Sequence, residues 1–130
     1  MYVIDTNTLI YFFKGTGNVS QKLLSKPPKE IGIPSIVLYE LQVGIAKSKA
    51  PRKRLKQLEE ITSIVNVLPF TAKEARSSAS IRAQLERKGT PIGPIDVLIG
   101  GTAFAQQATL VTHNTKEFKR IDMLQVEDWY

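Results

Sequence analysis

Apolar residues along this chain alternate between short continuous runs and longer stretches with helical spacing. Tyr2-Val3-Ile4 is such a run at the start, closed by the turn and cap residues Asp5-Thr6-Asn7-Thr8. A first helix is expected from Thr8 to Lys14, stopping at Gly15, with a short second one after Asn18. Ile31-Gly32-Ile33 reads as a strand. Ser35 then caps a helix to about Lys49. Pro51 suits the first turn of the next helix, where Leu55, Leu58, Ile61, Ile64 and Val65 recur at helical spacing. Val67 to Phe70 reads as a strand. Thr71 caps a helix to about Lys88, Glu74 completes a capping box, and Gly89 ends it. After the stiff loop Thr90-Pro91-Ile92-Gly93-Pro94 come a helix from Ile95 to Gln107 and a strand from Thr109 to Thr112. A short helix from Asn114 and a last strand near Leu124-Gln125-Val126 follow.

Short strands alternating with helices indicate an α/β fold around a central, mostly parallel sheet. No repeat and no linker divides the 130 residues, so one domain spanning 1–130 is expected. Ligands of such sheets bind beyond the carboxyl ends of the strands. Asp5 follows the first strand and Asn114 follows another, so both fall where a site is expected.

Charge narrows the partners. Eighteen Lys and Arg against twelve Asp and Glu give +6, an excess that favours polyanions. From Lys47 to Gln57, six of eleven residues are basic (Lys47, Lys49, Arg52, Lys53, Arg54, Lys56) and none is acidic. A merely solvated helix face more often interleaves signs, as Glu59 and Glu60 do just beyond, so these six are the candidate polyanion-binding residues. The chain has no cysteine, which removes disulfides and thiolate metal sites. No signal peptide and no membrane-length apolar run is visible, and a cytoplasmic location is expected.

Four acids carry the candidate chemistry, each with a simpler alternative. Asp5 could only cap the first helix, although Asn7 and Thr8 already offer capping groups. Glu40 has Ile36, Val37, Val43 and Gly44 as helical neighbours, so its carboxylate projects from an apolar stripe. Such a group needs a partner, either a buried Lys or Arg or a metal. The same helix is apolar on its other side too (Leu38, Leu41, Ile45), which suggests cover by the core and by a second subunit. Asp96, in a first helical turn beside Ile95, Val97 and Leu98, could serve the helix dipole alone. Asn114 and Glu117 have the spacing of a capping box. His113 is the only histidine, so a zinc site of the usual kind is unsupported. Carboxylate oxygens suit Mg²⁺, with Mn²⁺ as a substitute. Gly100-Gly101, inside a helix, points to close packing.

Taken together these residues resemble the PIN-domain ribonucleases, and within them the VapC-type toxins of toxin–antitoxin pairs. The matching segments are Tyr2-Val3-Ile4-Asp5-Thr6-Asn7, Ser35-Ile36-Val37-Leu38-Tyr39-Glu40-Leu41, Gly89 to Asp96, Leu110 to Phe118, and Val126-Glu127-Asp128-Trp129. The resemblance implies a three-layer PIN-like fold and Mg²⁺-dependent cleavage of RNA. Asp5 and Asp96 would be the principal metal-binding aspartates, Glu40 the third acid and Glu117 a fourth. Thr6 would orient Asp5. Asn114 stands where many relatives have an aspartate. The stretch from Gly89 to Asp96 is similar to a subgroup that cleaves initiator tRNA in its anticodon stem-loop. A VapB-type antitoxin is the implied partner. Rival readings are a non-toxin PIN nuclease of RNA processing and a catalytically idle RNA-binding module.

Overall fold

A computed structural model describes residues 1–130. Five strands form one sheet: β1 (Tyr2–Ile4), β2 (Ile31–Pro34), β3 (Asn66–Leu68), β4 (Thr109–Val111) and β5 (Gln125–Glu127). Their order is β3-β2-β1-β4-β5, and every neighbouring pair is parallel. Successive strand residues face opposite sides of a sheet. Val3 with Ile4, and Leu110 with Val111, are consecutive and all fully buried, so helices cover both faces. The edge strands β3 and β5 are the exposed ones.

The helices are α1 (Thr6–Lys14), α2 (Val19–Leu24), α3 (Ser35–Ala46), α4 (Pro51–Thr62), α5 (Ala72–Arg87), α6 (Pro94–Ala105) and α7 (Thr115–Phe118). From β1 the chain builds outward through β2 to β3, then crosses back to place β4 on the other side of β1. That reversal is the switch point of the sheet, and Asp5 lies directly after β1.

The elements expected from the sequence are present, with shifted ends. Gly15 ends α1 in the left-handed conformation, φ 68°, its N–H donating to the carbonyls of Phe12 and Tyr11. The Thr71–Glu74 capping box is formed. Ser35 is not a cap: Pro34 holds that position, and Ser35 is the first helical residue. α3 stops at Ala46 instead of Lys49, because the Ser48 hydroxyl accepts from the Ala50 N–H and offers the backbone an alternative to the helix. α4 ends at Thr62, so Ile64 lies beyond it and is 57% exposed. Within this chain α3 is covered on one side by the core, through Val37, Leu41 and Ile45, while Tyr39 and Val43 lie exposed where no element of the chain packs.

α5 and α6 cross closely where Gly101 meets Ser78; a Cβ on Gly101 would lie 2.8 Å from the Ser78 Cα. The Ser78 hydroxyl there is buried without a hydrogen-bond partner. Gly101→Ala should therefore lower stability by roughly 1–3 kcal/mol despite the better helix propensity of alanine. Ser78→Ala, which deletes an unpartnered hydroxyl, should be neutral or slightly stabilising. Urea unfolding of both variants reads the contrast; equal midpoints would contradict the close crossing.

Candidate functional site

Asp5 sits between β1 and α1 with extended backbone, ψ 171°, and is 6% exposed. It does cap α1: its carboxylate accepts from the Thr8 N–H at 2.9 Å. Capping uses one of several acceptor sites on a carboxylate, so the cap and a second role coexist. Burial raises the Asp5 pKa above its ordinary value. Hydrogen bonding from Thr112 and Thr8 works against that rise, and the negative charge of Glu40 adds to it.

Glu40 is half-buried on α3, four residues before the exposed Gly44. Its partner is the Thr6 hydroxyl, which donates to Oε1 at 2.6 Å. Thr6 therefore orients Glu40 and not Asp5, a correction that follows from its place on the first turn of α1, facing α3. Asp5 is instead attended by Thr8 and by Thr112, whose fully buried side chain follows β4. Asp96 lies in the first turn of α6 and is half-buried. Its pKa is pushed up to about 6, by burial first and then by the charges of Glu117, Asp5 and Glu40.

Asn114 precedes α7, but its side chain makes no capping bond. Its Nδ2 donates to Glu117 Oε2 at 2.9 Å. The expected capping box at this helix is thus absent. The reason is chemical: the amide NH₂ is the donor that a carboxylate three residues on can accept. Its own backbone N–H is taken by the Thr112 hydroxyl at 3.0 Å.

Asp96 thus feels the charges of three carboxylates carried by other parts of the fold, and no Lys or Arg pairs with any of the four. The ion pairs of the protein are Arg82–Glu86, Lys88–Asp122 and His113–Asp128. The buried ion pair considered for Glu40 is not formed. An all-oxygen, anionic donor set without a cationic partner fits a hard divalent cation. The side chains do not converge into a coordination cluster by themselves. Mutual repulsion opposes that convergence, and a cation would remove the repulsion.

His113 is exposed, 3.0 Å from Asp128 through Nδ1 and stacked on Tyr130 with centroids 4.2 Å apart. These contacts tie the chain's last residues to the loop after β4. The basic stretch splits. Lys47, Lys49, Arg52, Lys53 and Lys56 are exposed, whereas Arg54 is half-buried. Thr112, Thr8 and the special place of Arg54 were missed in the sequence. Threonine at a strand end is the only local signal for the first, and Arg54 looks like its neighbours. No helix is long and apolar enough to cross a membrane.

Comparison with known proteins spans nearly the whole chain. The PIN domain family model matches residues 2–124. A tRNA(fMet)-specific endonuclease VapC of Salmonella typhimurium is 38% identical over 128 residues, covering 98% of this chain and 97% of that protein. Ribonuclease VapC2 of Rickettsia felis is 40% identical over 132 residues, covering 99% and 98%. Among solved structures, VapBC2 from Rickettsia felis bound to a DNA fragment from its promoter superposes with a TM-score of 0.92. It is 39% identical, with 99% of this chain and 98% of that one covered. VapBC from Salmonella typhimurium, also DNA-bound, has a TM-score of 0.92 at 37% identity, covering 99% of this chain and 98% of that one.

The raised Asp96 pKa has a measurable consequence. The folded chain holds this proton more tightly than the unfolded chain does. The resulting stability is therefore present below the ordinary value of 3.8 and is lost as pH rises through about 6. In chelator, Asp96→Asn should raise the unfolding midpoint at pH 7.5, and the gain should shrink towards pH 4. A difference that stays constant with pH would contradict the crowding of charges.

Proposed function

As this chain belongs to the PIN-domain family and to its VapC-type group, we propose that it is the toxin of a type II toxin–antitoxin pair, a metal-dependent endoribonuclease. The observation that carries the reading is the gathering of Asp5, Glu40, Asp96 and Glu117 without a cationic partner. A domain that only bound RNA would gain nothing from burying groups that repel it, which disfavours the idle-binder reading. A solved toxin–antitoxin complex from Klebsiella pneumoniae, 26% identical with a TM-score of 0.79, favours a toxin over a processing nuclease.

Asp5, Asp96 and Glu40 would hold Mg²⁺, or Mn²⁺ in its place, and Glu117 with Asn114 would border the site. When bound, such an ion neutralises charge at the phosphodiester and lowers the pKa of a water that can attack it. The chain's own groups prepare for this. Thr8 and Thr112 hold Asp5 in one orientation, and Thr6 holds Glu40. Asn114 brings no charge of its own and gives Glu117 a hydrogen-bond donor. The pocket therefore carries one negative charge fewer than it would with an aspartate there. The exposed lysines and arginines between Lys47 and Lys56 draw RNA to the surface by counterion release.

The proposed substrate is initiator tRNA, cut in its anticodon stem-loop. Two relatives named for tRNA(fMet) support this, from Salmonella typhimurium and Shigella flexneri. Loops expose bases and backbone that a duplex hides. The proposed inhibitor is a VapB-type antitoxin, whose arginine would pair with Asp5, Glu40 or Asp96 through its planar fork. The rest of that segment would lie along the half-buried aromatics of α1, Tyr11, Phe12 and Phe13. Soluble action in the cytoplasm follows from such a substrate and partner.

Asp5→Asn and Asp96→Asn should each reduce RNA cleavage at least about a hundredfold, as expected when a transition-state charge partner is lost, while the fold is retained. Chelator should abolish wild-type cleavage and Mg²⁺ restore it. Purified proteins and labelled tRNA suffice for the assay, and undiminished cleavage by Asp5→Asn would refute the site. The exposed Tyr39 and Val43 on α3 support a symmetric homodimer. Light scattering should give twice the chain mass at micromolar concentration, and Tyr39→Lys should reduce it to one.

A further inference from the structure

We propose that Arg54 is a fixed anchor for one phosphate of the RNA strand, beside the carboxylates, and not one more member of a diffuse basic patch. The proposal deepens the nuclease reading and rests on it.

Arg54 differs from the five other basic residues of its stretch in being held. Its Nη1 donates to Gln57 Oε1 at 2.7 Å, and Gln57 Nε2 donates in turn to the Phe13 carbonyl at 3.2 Å. The guanidinium also lies 5.5 Å from the centroid of the Phe13 ring, within cation–π range. A side chain of α4 is thus pinned to the last turn of α1. An arginine in water samples many rotamers, and ordering it on binding is unfavourable. Here those two contacts supply part of that ordering before any ligand arrives.

Arg54 also lines a cavity of about 170 Å³ together with Glu40, between walls that include Ile10, Leu41 and Ile45. The two opposite charges share this cavity without forming an ion pair. The guanidinium is engaged instead by Gln57 and the Phe13 ring. Of its five N–H donors, only one on Nη1 is engaged by the protein. A cation with free donors, apolar surroundings and a fixed position is suited to a singly charged phosphodiester oxygen pair, which matches the guanidinium fork. An RNA strand that brings its cleavable phosphate to Glu40 and the aspartates must set a flanking phosphate close by. Arg54 stands in the cavity that Glu40 lines. The exposed Arg52, Lys53 and Lys56 have no such fixing, and attract the polyanion without choosing a position on it.

A chemical double-mutant cycle tests this. Short single-stranded RNA that the wild-type protein cuts is prepared with one neutral methylphosphonate at each linkage flanking the cleaved bond. With wild-type protein and Mg²⁺, kcat/KM should fall roughly ten- to hundredfold at one flanking linkage, the range expected for a charged hydrogen bond. Arg54→Ala should show that loss on unmodified RNA and no further loss at that linkage. Arg54→Lys should restore part of it, and supplies the comparison if the alanine variant unfolds. Arg52→Ala and Lys53→Ala should keep the linkage dependence and instead lower the salt slope of binding by about one each. The proposal is overturned if Arg54→Ala keeps the full penalty at every linkage, or if wild-type protein shows no penalty at any. Unchanged RNA kinetics with weakened binding of the cognate antitoxin would give the cavity to a protein partner and overturn it likewise. If wild-type protein cuts no RNA, the nuclease reading fails first and this inference falls with it.

Discussion

Carboxylates drawn together without a cation repel, and the arrangement of this protein turns on holding four of them in that state. Asp96 shows the consequence most directly: burial and three neighbouring negative charges lift its pKa to about 6. Left to themselves such groups would swing apart or take up protons. What keeps them near is the rigidity of what they are mounted on. Asp5 follows the central strand, Glu40 and Asp96 project from helices packed on the sheet, and Glu117 is on the short helix after β4. The core of Val3, Ile4, Ile31, Ile33, Leu110 and Val111, all fully buried, supplies the free energy that offsets the repulsion.

Hydroxyls complete that support. The Thr6 hydroxyl holds Glu40 from the first turn of α1, while the Thr112 side chain, together with the Thr8 N–H, serves Asp5. A hydroxyl donates a hydrogen bond to a carboxylate without neutralising it. A lysine in the same place would orient the acid equally well but would cancel its charge and compete with any cation. The contrast with the surface is consistent: lysines and arginines pair with acids at Arg82–Glu86 and Lys88–Asp122, both far more exposed positions.

The topology brings the parts together. Sequence neighbours β1 and β2 pair, yet β1 also pairs with β4, more than a hundred residues away. Asp5 therefore meets Thr112 across the switch point of a parallel sheet, and Asp96 feels the charges of both Asp5 and Glu117. On the other side of β1, Gln57 of α4 donates a hydrogen bond to the Phe13 carbonyl of α1, and there Phe13 and Gln57 restrain Arg54. Under the proposed anchoring by Arg54, attraction of a polyanion and selection of a position on it fall to different cations of one short stretch.

Much was legible along the chain because it depends on near neighbours. Apolar runs and helical spacing, Gly15 as a stop and the Thr71–Glu74 box are local, and the structure bears them out. The acids Asp5, Glu40 and Asp96 could be singled out for the same reason, since each sits among apolar residues or cap positions. The partners of those side chains could not. Thr6 was assigned to Asp5, its chain neighbour, but donates to Glu40, thirty-four residues on. Asn114 was read as a cap but pairs through its amide with Glu117. Arg54 was indistinguishable from Lys53. Spacing determines which face a residue occupies, whereas a hydrogen bond or a charge interaction acts over a few ångströms and depends on which elements the fold sets side by side.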